Sequence, residues 1–192
     1  DVYQIEKLVK EHEGKLDQAS KDAISAAVER VKEAAKGDDV AAGTLTVNAE
    51  IRIEAPPDAV FPCLTDPEKI VRWKGVDATV EASPGGVYRV NVTGTNHAVG
   101  EYVEIDPPRR VVFTWGWEGN EQLPPGSSTV TIELVPDGDA TIVRLTHSGL
   151  PEGADAAQLQ GWEHFLPRLA EVATGGDPGP DPWVSQPPDP AR

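Results

Sequence analysis

Apolar residues along the chain follow three successive rhythms. In residues 1–42 they recur at helical spacing. Tyr3, Ile5, Leu8, Val9 and His12 lie along one side of a helix that Gly14 should end, and Ile24, Ala27, Val28, Val31 and Ala35 step by three and four before Gly37. This predicts an α-helical hairpin, which needs a partner surface because two short helices bury little alone. From Leu45 the period becomes two. Leu45, Val47, Ala49, Ile51 and Ile53 alternate with Thr46, Asn48, Glu50 and Arg52, the pattern of a strand with one buried face. Pro56-Pro57 breaks the strand, and residues 59–64 read as a short helix. Asp66-Pro67-Glu68 then supplies an N-cap, a first-turn proline and an early acid for a helix reaching Trp73.

Six further strand-like runs follow, over residues 77–82, 86–92, 98–106, 109–117, 128–135 and 140–148. Pro84-Gly85-Gly86, Pro107-Pro108, Pro124-Pro125-Gly126 and Asp137-Gly138-Asp139 separate them, as turns of an antiparallel meander would. After Leu150 the helical period returns. Leu159, Trp162, Leu166, Leu169 and Ala173 share a face flanked by Phe165 and Val172, and Pro167 should kink that helix by removing the partner of the Glu163 carbonyl. Residues 175–192 hold three Gly and six Pro and are expected to form a disordered or polyproline-like tail. The expected fold is therefore α+β: a seven-stranded antiparallel sheet wrapped around a long C-terminal helix over residues 45–173, preceded by the hairpin of residues 1–42. Such a sheet and helix enclose a pocket between them.

Charge narrows the partners. Seventeen basic side chains against 32 acidic ones give a formal charge of −15, which opposes attraction to nucleic acid or anionic lipid. Residues 1–43 contribute seven bases and ten acids, so most of the acidity lies in the remainder. No run is long and apolar enough for membrane insertion, and the single cysteine, Cys63, cannot form an intramolecular disulfide, so a cytoplasmic setting is expected. There is no Met, and Asp1-Val2-Tyr3-Gln4 has the look of mid-helix, which predicts a piece of something longer. Four scattered His and one Cys lack zinc-ligand spacing, so no metal and no cofactor are expected.

The chemistry rests on the inward positions. Alternation places Phe113, Trp115 and Trp117 on one face, Tyr88 with Val90 and Val92, and His147 with Val143 and Leu145. Together with Trp73 and Trp162 these aromatics either line a ligand cavity or simply fill a core. Glu101 alternates with Val99, Val103 and Ile105 and should share their inward face as a buried carboxylate able to hold a polar group or move a proton. The alternatives are a bulge near Gly100 that turns it outward, or an arginine partner. His147 could titrate or position a ligand, or it could be a structural histidine tied to a loop carbonyl. If Glu101 and His147 converged, they could form an acid/base pair.

Several segments, in order, carry a family resemblance. They are Ala55-Pro56-Pro57-Asp58-Ala59-Val60-Phe61, Leu64-Thr65-Asp66-Pro67-Glu68-Lys69-Ile70-Val71-Arg72-Trp73, Gly100-Glu101-Tyr102-Val103-Glu104-Ile105-Asp106-Pro107-Pro108-Arg109-Arg110-Val111-Val112-Phe113-Thr114-Trp115, Leu145-Thr146-His147-Ser148-Gly149-Leu150 and Gly161-Trp162. Residues 47–173 resemble the domains named after the activator of Hsp90 ATPase, within the START-like, Bet v 1-like superfamily (SRPBCC) of helix-grip folds. Tyr3-Gln4-Ile5-Glu6-Lys7-Leu8-Val9-Lys10 and Ala34-Ala35-Lys36-Gly37-Asp38-Asp39 resemble the start of the helical lid of the Hsp70 substrate-binding domain. The first resemblance implies a pocket for a small hydrophobic or aromatic ligand, and a non-enzymatic binding protein ranks first. Both resemblances imply, as an alternative, a chaperone-associated module with an Hsp90- or Hsp70-type partner. A cyclase- or hydrolase-like enzyme using Glu101 and His147 ranks third.

Overall fold

The computed structural model describes residues 44–188. The hairpin and lid resemblance of residues 1–42 lie outside the described residues. Within them the alternating runs become β1 (Leu45–Ile53), β2 (Asp77–Val80), β3 (Val87–Asn91), β4 (His97–Asp106), β5 (Arg110–Trp115), β6 (Ser128–Asp137) and β7 (Ala140–Leu150). They form one antiparallel sheet in the order β1-β7-β6-β5-β4-β3-β2. The first strand thus closes beside the last, and the meander runs away from it.

Three short helices fill the connection from β1 to β2: α1 (Pro57–Val60), α2 (Pro62–Thr65) and α3 (Pro67–Trp73). Each begins on a proline, whose missing N–H is no loss in a first turn. The Asp66 side chain caps α3 by accepting from the Glu68 N–H at 3.0 Å, as its sequence predicts. The long helix is α4 (Asp155–Ala173), and it runs through Pro167 without ending. Its buried side chains Trp162, Phe165, Leu166, Leu169 and Val172 join the inner faces of the strands in one core. Several buried polar groups inside that core are bonded: Trp73 Nε1 donates to the Cys63 carbonyl at 2.8 Å, the Tyr102 hydroxyl to the Leu64 carbonyl at 3.0 Å, and Thr141 Oγ1 to the Ala55 carbonyl at 2.7 Å.

The expectation of a disordered tail is corrected over residues 175–188. This stretch folds back along α4 as a strap containing the one-turn helix α5 (Pro182–Ser185). Arg168 on α4 holds it, donating to the Gly179 carbonyl at 2.7 Å and to the Trp73 carbonyl at 3.2 Å. The strap's Asp181, capping α5, accepts a bond involving His164 Nε2 at 2.8 Å, and Trp183 stacks on the His164 ring at 3.9 Å between centroids. Proline-rich composition sets the backbone preference, and the Arg168 guanidinium, one buried carboxylate and one indole dock it. Among the described residues no helix is long and apolar enough to cross a membrane.

Candidate functional site

A cavity of about 430 Å³ opens where the N-terminal half of α4 leaves the sheet. Trp115 at the end of β5 and Trp117 just beyond it form one wall, Trp162 and Phe165 of α4 another, and Trp183 of the strap a third. Exposed Asn96, Gly119 and Asn120 mark the rim. Its size and its mix of aromatic wall and few polar groups match small-molecule sites.

Lys74 also lines this cavity, and it is only 2% exposed. Its position follows from the chain around it. The α3 helix ends at Trp73, the Lys74 backbone is extended, and Gly75 at φ +86° makes the turn into the segment leading to β2. A Cβ at residue 75 would stand 2.4 Å from the Asn91 carbonyl oxygen, so no other residue fits without a shift. The Lys74 Nζ lies 4.2 Å from the centroid of the Trp162 ring, with Trp115 and Phe165 at 5.9 and 5.8 Å. The described residues give it no carboxylate and no hydrogen-bond acceptor. Burial alone pushes its amine down to about 7. Trp115 carries a second buried group in need of a partner, its indole N–H.

Behind this wall is His147, wholly buried, and its bonds fix its chemical state. Trp162 Nε1 can only donate, and it donates to His147 Nδ1 at 3.1 Å. In the neutral ring the proton therefore sits on Nε2, which faces Ser128 Oγ at 2.8 Å. The Ser128 hydroxyl in turn donates to the Trp115 carbonyl at 2.7 Å. Trp162, His147, Ser128 and the β5 backbone thus form a one-way chain with every hydrogen used. Burial, with the nearby Lys74 charge adding to it, pushes the imidazole down to about 3. His147 is a neutral structural residue that orients Trp162 and ties α4 to the sheet.

Glu101 requires a correction. It is exposed, and Ala98 and Tyr102 are the buried residues of β4. Gly100 decides the phase: a Cβ there would stand 1.8 Å from the Thr114 carbonyl oxygen, and the register of β4 against β5 shifts between Tyr102 and Glu104. The small residues Ala98 and Gly100 occupy the inner face, while Val99 and Val103 point away from it. Glu101 and His147 therefore lie on opposite faces and form no pair.

Of the other aromatics expected to touch a ligand, Trp115, Trp117 and Trp162 line the cavity. Trp73, Tyr88 and Phe113 are core instead: Tyr88 stacks on Phe113 at 4.3 Å, with Tyr102 edge-on to both. The sequence reading missed Lys74, Phe165 and Trp183 as wall residues. Lys74 carried no signal, since a lysine after the last turn of a helix ordinarily points to solvent. Among the described residues no group of His, Cys, Asp and Glu could hold a metal ion.

Comparison with known proteins matches the same region. The family model described as activator of Hsp90 ATPase homolog 1-like protein covers residues 54–174. The solution structure of an AHSA1-like protein from Rhizobium etli is similar at 52% identity, covering 73% of this chain and 88% of that one, with a TM-score of 0.59. CalU16 from Micromonospora echinospora is similar at 30% identity, covering 73% and 71%, with a TM-score of 0.60. An HSP90 activator from Plasmodium falciparum is similar at 25% identity, covering 68% and 96%, with a TM-score of 0.56. No curated protein matches. The seven-stranded sheet gripping α4 and the matched segment agree, and the chain belongs to the activator of Hsp90 ATPase homolog 1-like family, with the helix-grip, START-like fold.

Proposed function

We propose that this protein binds a small, largely apolar aromatic ligand in the cavity between β5, α4 and the strap, and that it does so without chemical turnover. The carrying observation is the cavity itself. It has about 430 Å³ of space walled by four tryptophans and a phenylalanine rather than filled by their side chains. The reading of Glu101 and His147 as an acid/base pair has no geometric support, because one faces solvent and the other has its ring nitrogens engaged.

Four of the five tryptophans border the cavity, so a ligand there should alter most of the intrinsic fluorescence. Titrating the full chain with naphthalene-sized aromatics is expected to quench that emission saturably, and Trp162→Ala should weaken binding. An unsaturable or absent response across such a panel would count against the reading.

A second reading, a chaperone-associated module, is favoured by the family and by the similarity to the Plasmodium falciparum HSP90 activator. Stimulation of an Hsp90 ATPase by the purified chain would support it. Fold alone does not, since one architecture hosts many functions.

A further inference from the structure

We propose that the ligand of this cavity carries a carboxylate, and that Lys74 is the group that receives it. The inference deepens the binding function just proposed and rests on it. A buried ammonium is ordinarily paired, because removing it from water without a counter-charge is costly. Among the described residues Lys74 has no such pair. Instead it is held over the Trp162 face, with its neighbours Trp115 and Phe165, on the wall of a space large enough for a two-ring aromatic.

The other titratable groups around the site do not supply the missing anion. Glu118, the one acid among the described residues of the cavity wall, is half-exposed and committed to Arg89 at 2.9 Å. His147, which approaches Lys74 from β7, is neutral with both ring nitrogens engaged. The anion therefore comes from the ligand. One ammonium, the single cation among the described residues of the wall, suits a singly charged carboxylate. A phosphate would need more donors and more positive charge than the wall offers.

Matched probes of one size test this with the full chain: naphthoate, which is charged, and naphthamide, which is not. By calorimetry near pH 6.5, where most Lys74 is protonated, naphthoate is expected to bind about tenfold tighter than naphthamide. Lys74→Met should erase that preference, weakening naphthoate about tenfold more than it weakens naphthamide. A readout without any variant is proton uptake. Near pH 8 the free amine is mostly neutral, so naphthoate should take up a proton on binding and naphthamide should not, seen as a buffer-dependent enthalpy. Equal affinity for the two probes, a preference that survives Lys74→Met, or naphthoate binding without proton uptake would each overturn the assignment of Lys74 while leaving the apolar cavity standing. Failure of both probes to bind would overturn the cavity reading and this inference with it.

Discussion

Lys74 and His147 are both basic groups held below their ordinary values by burial, to about 7 and about 3. The sign of the effect on folding is the same for each. The unfolded chain binds protons that the folded chain refuses, so stability is lost as pH falls, from 10.5 toward about 7 through Lys74 and from 6.5 toward about 3 through His147. Each unit of displacement corresponds to about 1.4 kcal/mol. The midpoint of denaturant unfolding is therefore expected to climb with pH across both windows. Lys74→Met should remove the upper climb and raise stability near neutrality by about 1–4 kcal/mol, the range for exchanging buried charge for apolar packing. A less stable Lys74→Met protein would mean that contact with Trp162 outweighs the burial of the charge. At this scale the sequence was least legible. Glu101 was misplaced and Lys74 missed for backbone reasons, the approach of Gly100 to Thr114 and the positive φ of Gly75, and neither leaves a trace in hydrophobic alternation.

Secondary-structure elements were far more legible, since alternation and turn chemistry act within a few residues. The seven strands lie where the period of two places them, and Asp66 caps the helix it was expected to cap. The strap was not legible, because its order comes from contacts with residues well removed along the chain: His164 with Asp181 and Trp183, and Arg168 with two backbone carbonyls of residues 178–179. Composition cannot report such contacts. The strap supplies Trp183, Pro187 and Pro188 to the cavity wall, so it should govern how fast a ligand leaves. Trp183→Ala is expected to speed naphthamide dissociation in stopped-flow fluorescence by roughly tenfold, the equivalent of about 1.4 kcal/mol. An unchanged rate would show that the ligand leaves by another route.

At the scale of the whole molecule, acidity and a lone buried cation pull an anionic ligand in opposite directions. The formal charge of −15 repels naphthoate during approach, whereas Lys74 attracts it after arrival. Added salt screens the first effect far more than the second, because the exposed charges are separated from the ligand by water. The association rate of naphthoate should therefore rise about two- to threefold between low and moderate salt, with that of naphthamide flat. A fall in the naphthoate rate would locate the governing field in a local basic patch. The order of the sheet has a further consequence, for self-association. Because the sheet stays open, β1 and β2 each have a single strand neighbour among the described residues, leaving two margins where another chain could add. One margin is only four residues long. The other presents the exposed charges of Glu50 and Arg52, already engaged with Arg144 and Asp137 at 2.9 and 3.0 Å. Neither gives an incoming strand a long apolar template, so the sheet resists edge-to-edge aggregation without closing into a barrel.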